Sequence, residues 1–227
     1  MQYEIKGGML PVLVMTLSAG ESIITEGGGM SWMSPNMRMD TNMKGGLFGG
    51  LGRALAGESI FLNTYTAEGG AGLLACASCF PGTILSFDLE AGQSIIAQKH
   101  SFLCATGGVT LSMHLRRSFG VGMFGGEGFV MQKIEGPGRV FLEIDGSLEK
   151  YTLGPGQSII VDPGHLAVYT PSVQVQLETV KGFKNIFLGG EGLFLARLTG
   201  PGDIYLQTLT AQNVAHSILP YIPKASS

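Results

Sequence analysis

Apolar and polar residues alternate singly through much of this chain. From Arg139 to Asp145, the apolar Val140, Leu142 and Ile144 sit between Arg139, Glu143 and Asp145, the period-two pattern of a half-buried strand. Ile204 and Leu206 occupy the same inner places later on, and Leu74, Phe141 and Tyr205 align on the outer face. Outward apolar residues that recur in this way predict a second sheet or a subunit contact. Before the strand, Gly136-Pro137-Gly138 predicts a type II turn, because proline presets φ and glycine supplies a positive φ; Thr199-Gly-Pro-Gly-Asp203 repeats it. Upstream of that second hairpin, further strands are predicted at 158–161, 165–170 and 173–177. The period changes only in the tail. Thr210 is a good N-cap, Val214, Ala215, Ile218 and Leu219 form an apolar stripe, and Pro220 stops it, which predicts a helix over about 210–220 packed on the sheets or on a neighbour.

The same phrases recur three times. Leu17-Ser-Ala-Gly-Glu-Ser-Ile-Ile24, Leu89-Glu-Ala-Gly-Gln-Ser-Ile-Ile96 and Leu153-Gly-Pro-Gly-Gln-Ser-Ile-Ile160 are copies of one turn-plus-strand unit. A second phrase follows each: Gly57-Glu-Ser-Ile-Phe-Leu62, Gly126-Glu-Gly-Phe-Val-Met131 and Gly190-Glu-Gly-Leu-Phe-Leu195. The glycines of the first phrase are spaced by 72 and then 64 residues, and the glutamates of the second by 69 and then 64. A fixed period of this size means one supersecondary unit stacked on its own copies. The expectation is a single all-β domain over 1–227, a β roll or barrel of three pseudo-repeats (about 1–80, 81–145 and 146–209) closed or nearly closed. Copy one carries an insertion, Lys44-Gly-Gly-Leu-Phe-Gly-Gly-Leu-Gly-Arg-Ala-Leu-Ala-Gly57.

Composition narrows the partners. Charged residues make up 14 %, against about 25 % in an average soluble domain, and mean hydropathy is +0.28. So little surface charge predicts partner subunits over much of the outside, hence a homo-oligomer. The formal net charge is −3, which argues against a nucleic-acid partner, since phosphate binding needs clustered Lys and Arg. Arg116-Arg117 reads as a solvated strand end. No long apolar run crosses a bilayer as a helix, and the N-terminus lacks a signal-peptide layout. The expected location is the cytoplasm, in part peripheral to the membrane.

Candidate chemistry is thin. Cys76-Ala-Ser-Cys79 continues a strand, where residues three apart point to opposite faces and cannot share one zinc ion; with the isolated Cys104, these read as small buried side chains. Cys76 aligns with Glu143 and Gln207 in this reading. Asp162-Pro-Gly-His165 resembles half of a cupin metal motif, but no His-x-His with a nearby Glu supplies the other half. Ser22, Ser94 and Ser158 recur at strand starts without a Gly-x-Ser-x-Gly elbow, and Glu58, Glu127 and Glu191 recur as turn carboxylates. No catalytic, cofactor-binding or metal residue is assigned and no cofactor is expected. One surface stands out: Leu47 and Phe48, Met123 and Phe124, Phe187 and Leu188 are glycine-flanked apolar tips preceding the Gly-Glu phrase in each copy. By the pseudo-symmetry they gather at one end, where they are suited to a membrane surface, a protein partner or the next subunit.

With the triple Gly-x-Ser-Ile-Ile phrases, Phe80-Pro-Gly-Thr-Ile84, Ser101-Phe-Leu-Cys-Ala-Thr106, the Gly-Glu-Gly pairs and the closing Ile218-Leu-Pro220, the chain resembles a known family along essentially its whole length. It is similar to the bacterial branch of the domain-of-unknown-function family that includes the "altered inheritance of mitochondria" biogenesis proteins. The resemblance implies a fold akin to the tryptophan-RNA-binding attenuation protein, related to the double-stranded β-helix, that assembles into oligomers. It implies no established reaction; the mitochondrial relatives are linked to inner-membrane organisation. The reading is a non-catalytic oligomeric scaffold or interaction module associated with a membrane. Its alternatives are a cupin-like metal enzyme or small-molecule binder around His165, and an RNA-binding protein.

Overall fold

Some stretches of this chain are apolar without alternation, such as Ile95-Ile-Ala97 and Phe102-Leu-Cys-Ala105, and these lie in sheets covered on both faces. The structure is a computed structural model and describes residues 1–41, 62–117, 128–179 and 194–222. The first third of the chain forms β1 (Gln2–Lys6), β2 (Val12–Leu17), β3 (Ser22–Glu26), β4 (Trp32–Met33), β5 (Met37–Thr41), β6 (Leu62–Ala67) and β7 (Gly72–Ala77). The middle third forms β8 (Gly82–Leu89), β9 (Ser94–Gln98), β10 (Phe102–Thr106), β11 (Thr110–Arg117), β12 (Phe129–Glu135) and β13 (Gly138–Asp145). The last forms β14 (Leu148–Leu153), β15 (Ser158–Val161), β16 (Leu166–Tyr169), β17 (Gln174–Thr179), β18 (Phe194–Thr199) and β19 (Gly202–Gln207), then α1 (Ala211–Ile218).

These strands make four antiparallel sheets. Their orders are β1-β2-β7-β4, then β5-β6-β3-β10-β13-β8, then β11-β12-β9-β16-β19-β14, then β15-β18-β17. One apolar core separates each sheet from the next. Leu13, Met15, Leu17 and Leu74 of the first sheet meet Ile23, Tyr65, Cys104 and Phe141 of the second. Val140, Leu142 and Ile144 of the second meet Ile95, Ala97, Ile134 and Val168 of the third. Ile96, Met131, Tyr169 and Ile204 of the third meet Val161, Ala196 and Leu198 of the fourth. Within β9, Ile95 and Ala97 serve one core and Ile96 the other, as side-chain alternation requires. The all-β class with a short C-terminal helix is what the chain has, but the sheets are layered and do not close into a barrel.

Structure corrects three local readings. The first concerns register. Gly72, Gly138 and Gly202 stand opposite Leu17, Leu89 and Leu153, so Ala75, not Leu74, is level with Phe141 and Tyr205, and Ala77, not Cys76, is level with Glu143 and Gln207. Second, β13 is not half-buried: Val140 to Glu143 are all buried, because the second sheet has a neighbour on each side. Phe141 packs edge-on to Tyr3, with ring centroids 4.9 Å apart, and Tyr205 does so with Phe87 at 5.4 Å. The second-sheet explanation of these residues is thus the right one. Third, Gly136–Pro137 and Gly200–Pro201 are cis peptides, so the two turns are not type II; Gly138 and Gly202 follow with φ of 146° and 147°.

The recurring Gly-x-Ser phrase has a local physical cause. Gly20, Gly92 and Gly156 have φ of 84°, 82° and 74°, which side-chain-bearing residues avoid. The next residue closes the turn. Glu21 accepts the Ser18 N–H at 2.7 Å, Gln93 the Glu90 N–H at 2.9 Å and Gln157 the Gly154 N–H at 2.9 Å. The turn therefore selects glycine for its backbone and Glu or Gln for its acceptor oxygen. Ser22, Ser94 and Ser158 open β3, β9 and β15 as expected.

Candidate functional site

The six apolar tip residues, Leu47, Phe48, Met123, Phe124, Phe187 and Leu188, lie outside the described residues, as do Glu58, Glu127 and Glu191. What the structure describes is a set of polar clamps inside the sheets and an apolar surface at their ends. Among the described residues no three His, Cys, Asp or Glu side chains are grouped so as to hold a metal ion.

His165 closes a short 3-10 turn, Pro163–His165, begun by Asp162, whose carboxylate accepts the Gly164 N–H at 2.9 Å. The turn leads into β16 and does not end a strand. His165 Nδ1–H donates to the Gln207 carbonyl at 2.7 Å, which ties the ring to β19. The Gln207 side chain completes the clamp. Its Nε2 donates to Gly164 O at 2.9 Å and Gln98 Oε1 at 3.3 Å, and its Oε1 accepts the Asp145 N–H at 3.2 Å. His114 lies against Tyr169, with ring centroids 6.3 Å apart, and burial together with Lys133 lowers its pKa.

Glu143 makes the corresponding clamp one unit earlier, its Oε1 accepting the Cys79 N–H at 2.7 Å and the Phe80 N–H at 3.0 Å. Burial raises its pKa against the pull of those two donors. Asp145, two residues on and on the same face, is pushed up to about 6 by burial and by the Glu143 charge. Burial and both carboxylates raise the Cys79 thiol, which disfavours a nucleophilic thiolate. Cys76 and Cys104 are the small buried side chains expected and touch each other between the first two sheets; Cys79 is exposed. A third device escaped the sequence reading. Ser34, Thr106 and Thr170 hydroxyls accept the N–H of Leu73, Arg139 and Asp203 at 2.9, 2.9 and 3.0 Å. Their types vary between Ser and Thr and their spacing carries no apolar period, so only the equivalence of the three β-turns reveals them.

Exposed apolar side chains sit on strand edges, at Met9 and Leu10 of the β1–β2 loop and on the terminal helix. Trp32 and Met33 of β4 are 50 % and 37 % exposed, and Ile160 of β15 is 46 % exposed. No residue of α1 is buried, and Ile218, Leu219, Tyr221 and Ile222 stand open. The helix starts as expected, with Thr210 Oγ1 accepting the Asn213 N–H at 3.1 Å, and runs into a 3-10 turn, Leu219–Tyr221, that includes Pro220. Of its predicted stripe, Val214 is half-buried while Ala215, Ile218 and Leu219 are exposed. Charges near the sheets are mostly paired at the surface, as in the two-pronged contact of Arg139 with Asp88 at 2.5 and 2.7 Å. No helix among the described residues is long and apolar enough to cross a membrane.

The model of one family, mitochondrial biogenesis AIM24, matches residues 3–209. The chain belongs to this family. An uncharacterized protein of Streptococcus pyogenes serotype M6 is 30 % identical over 237 residues, an alignment covering all of this chain and 93 % of that protein. The X-ray crystal structure of protein SPYM3_0169 from Streptococcus pyogenes superposes with a TM-score of 0.75 at 24 % identity, covering 97 % of this chain and 99 % of that one. At that identity the likeness concerns the fold. Neither relative's name states an activity. Membership in the AIM24 family is what the resemblance in the sequence implied.

Proposed function

We propose that this AIM24-family chain is a non-catalytic, homo-oligomeric scaffold or interaction module built from three pseudo-repeats. The observation that carries the reading is that open apolar side chains include Trp32, Met33 and Ile160 on the edges of the outer sheets and Ile218 on α1, beside Met9 and Leu10 of the β1–β2 loop, Met39 of β5 and Tyr151 of β14. Apolar strand edges and an uncovered amphipathic helix suit contact with folded protein. The polar clamps support the same reading, since His165, Gln207 and Glu143 are spent on backbone partners.

Native mass spectrometry of the untagged protein, together with light scattering over a wide concentration range, tests it. The expected result is a discrete multimer without retained small-molecule mass. A monomer at every concentration overturns the scaffold reading. A stoichiometric adduct lost in His165→Ala replaces it with the cupin-like one. Contact with a membrane surface or a further protein is assigned on sequence grounds to Leu47, Phe48, Met123, Phe124, Phe187 and Leu188. Joint replacement of Phe48, Phe124 and Phe187 by Ser is expected to leave the fold intact and abolish liposome binding.

A further inference from the structure

Two of the four sheets are composite, and the other two are halves of the same design. In the second sheet, β8-β13-β10 joins β3-β6-β5 through β10 and β3; in the third, β14-β19-β16 joins β9-β12-β11 through β16 and β9. Among the described residues, the first sheet contains β2-β7-β4 with no strand beyond β4, and the fourth contains β15-β18-β17 with no strand beyond β15. β4 occupies the place of β10 and β16, because Ser34, Thr106 and Thr170 hold the same hydrogen bond after each. β15 occupies the place of β3 and β9, since all three start at the serine of the recurring phrase.

We infer that β4 of one copy pairs antiparallel with β15 of a second copy, head to tail, merging the first sheet of one with the fourth sheet of the other into one continuous sheet. This rests on the oligomeric reading above and names its interface. Within the chain Thr25 lies opposite Cys104 and Ile24 opposite Ala105, as do Ala97 and Val168, Ile96 and Tyr169. The same register sets Val161 of one copy opposite Trp32 of the next, and Ile160 opposite Met33.

Burial follows the missing pairing. Cys104 and Val168 are 0 % exposed where the equivalent Trp32 is 50 %, and Ile96 is 1 % exposed and Ile24 half-buried where the equivalent Ile160 is 46 %. The two open edges keep the apolar residues of the made junctions. Neither β4 nor β15 has the Lys, Glu or Pro with which solvent-facing edges are blunted. The helix fits the same arrangement. After β7 and β13 the chain enters the next sheet, and after β19 it forms α1, whose N-cap Thr210 lies beside Gly164 in the turn that follows β15. The exposed stripe of α1 thus continues the apolar surface at this end. A junction between two different edges is heterologous, so each copy uses both ends, and a finite multimer is a ring.

Two variants test the junction, Trp32→Lys and Ile160→Lys, both at exposed positions where a single copy tolerates the change. Each alone is expected to fall from the wild-type mass to that of one chain in native mass spectrometry, with its strand circular dichroism retained. Mixed in equal amounts they are expected to form one-to-one dimers and nothing larger, because one intact β15 and one intact β4 remain. If both variants fold and keep the wild-type mass, this junction is wrong while the oligomeric reading stands. If they dissociate but do not pair on mixing, head-to-tail joining is wrong. A monomeric wild type removes both readings. Should a Lys variant lose its strand signal, Trp32→Ser and Ile160→Ser are read in the same way.

Discussion

Asp145→Asn should stabilise this protein near neutral pH, and the size of the gain follows from where the carboxylate sits. Asp145 ends β13, with the like-charged Glu143 on the same face, and burial and that charge carry it from the ordinary 3.8 to about 6. At about 1.4 kcal/mol per tenfold the gap amounts to about 3 kcal/mol. The side chain keeps partial contact with water, so screening reduces this to about 1–2 kcal/mol. The sign is set by the preferred form. The fold favours protonated Asp145, so this stability is fully present below 3.8 and lost as pH rises through about 6. Glu143, also raised, acts in the same direction, whereas Asp88, Asp203 and Glu178, held down by Arg139, Lys150 and Arg197, lose their contributions only in acid. Urea unfolding of wild type and variant at about pH 5 and about pH 7.5 isolates the Asp145 share. The variant is expected to lead by about 1–2 kcal/mol at the higher pH and to keep only about half of that lead at about pH 5, which lies midway between 3.8 and about 6. Parallel stabilities at both pH values, or a less stable variant at the higher, would refute the reasoning.

Two further substitutions probe the layers. Phe141→Ala removes a fully buried ring from the face of the second sheet that meets Tyr3, and should cost about 3–5 kcal/mol in chemical denaturation; Arg139→Ala, beside it on the surface, should cost about 0–1 kcal/mol. Gly82→Ala sets a Cβ 1.9 Å from the Ile144 carbonyl oxygen, a backbone atom that cannot swing aside, and is expected to cost about 1–3 kcal/mol of stability and lower the melting temperature.

Much of the fold could be read from the sequence, and what could not has local causes. The tandem phrases and the alternation around Val140, Leu142 and Ile144 announced antiparallel strands, because a recurring turn and a buried face leave period-two marks. The layering stayed hidden. A strand such as β13, covered on both faces, still reads as alternating when its second face carries Glu143, whose carboxylate is satisfied by Cys79 and Phe80 N–H groups rather than by water. Register slipped by one residue at Leu74, where Gly70, Ala71 and Gly72 offer no large side chain to mark the phase. The open edges were equally silent. Trp32-Met33 and Ile159-Ile160 look like any core strand, and only the identity of their neighbours separates them from Cys104 or Ile96.

The composite sheets also have a meaning for biosynthesis. Thr25 in β3 pairs with Asn63 on one side, but its partner on the other side, Cys104, is made about 80 residues after it, and Ala97, paired with Gln132, waits in the same way for Val168. A chain emerging from the ribosome therefore carries β3, and later β9, with one edge unpaired until β10 and β16 have been made. Such long-range pairing slows folding and exposes edges along the way. Cutting the chain after β7 would split the second sheet and cutting it after β13 would split the third, so shortening has to be done at the strand partners rather than at either point in the sequence.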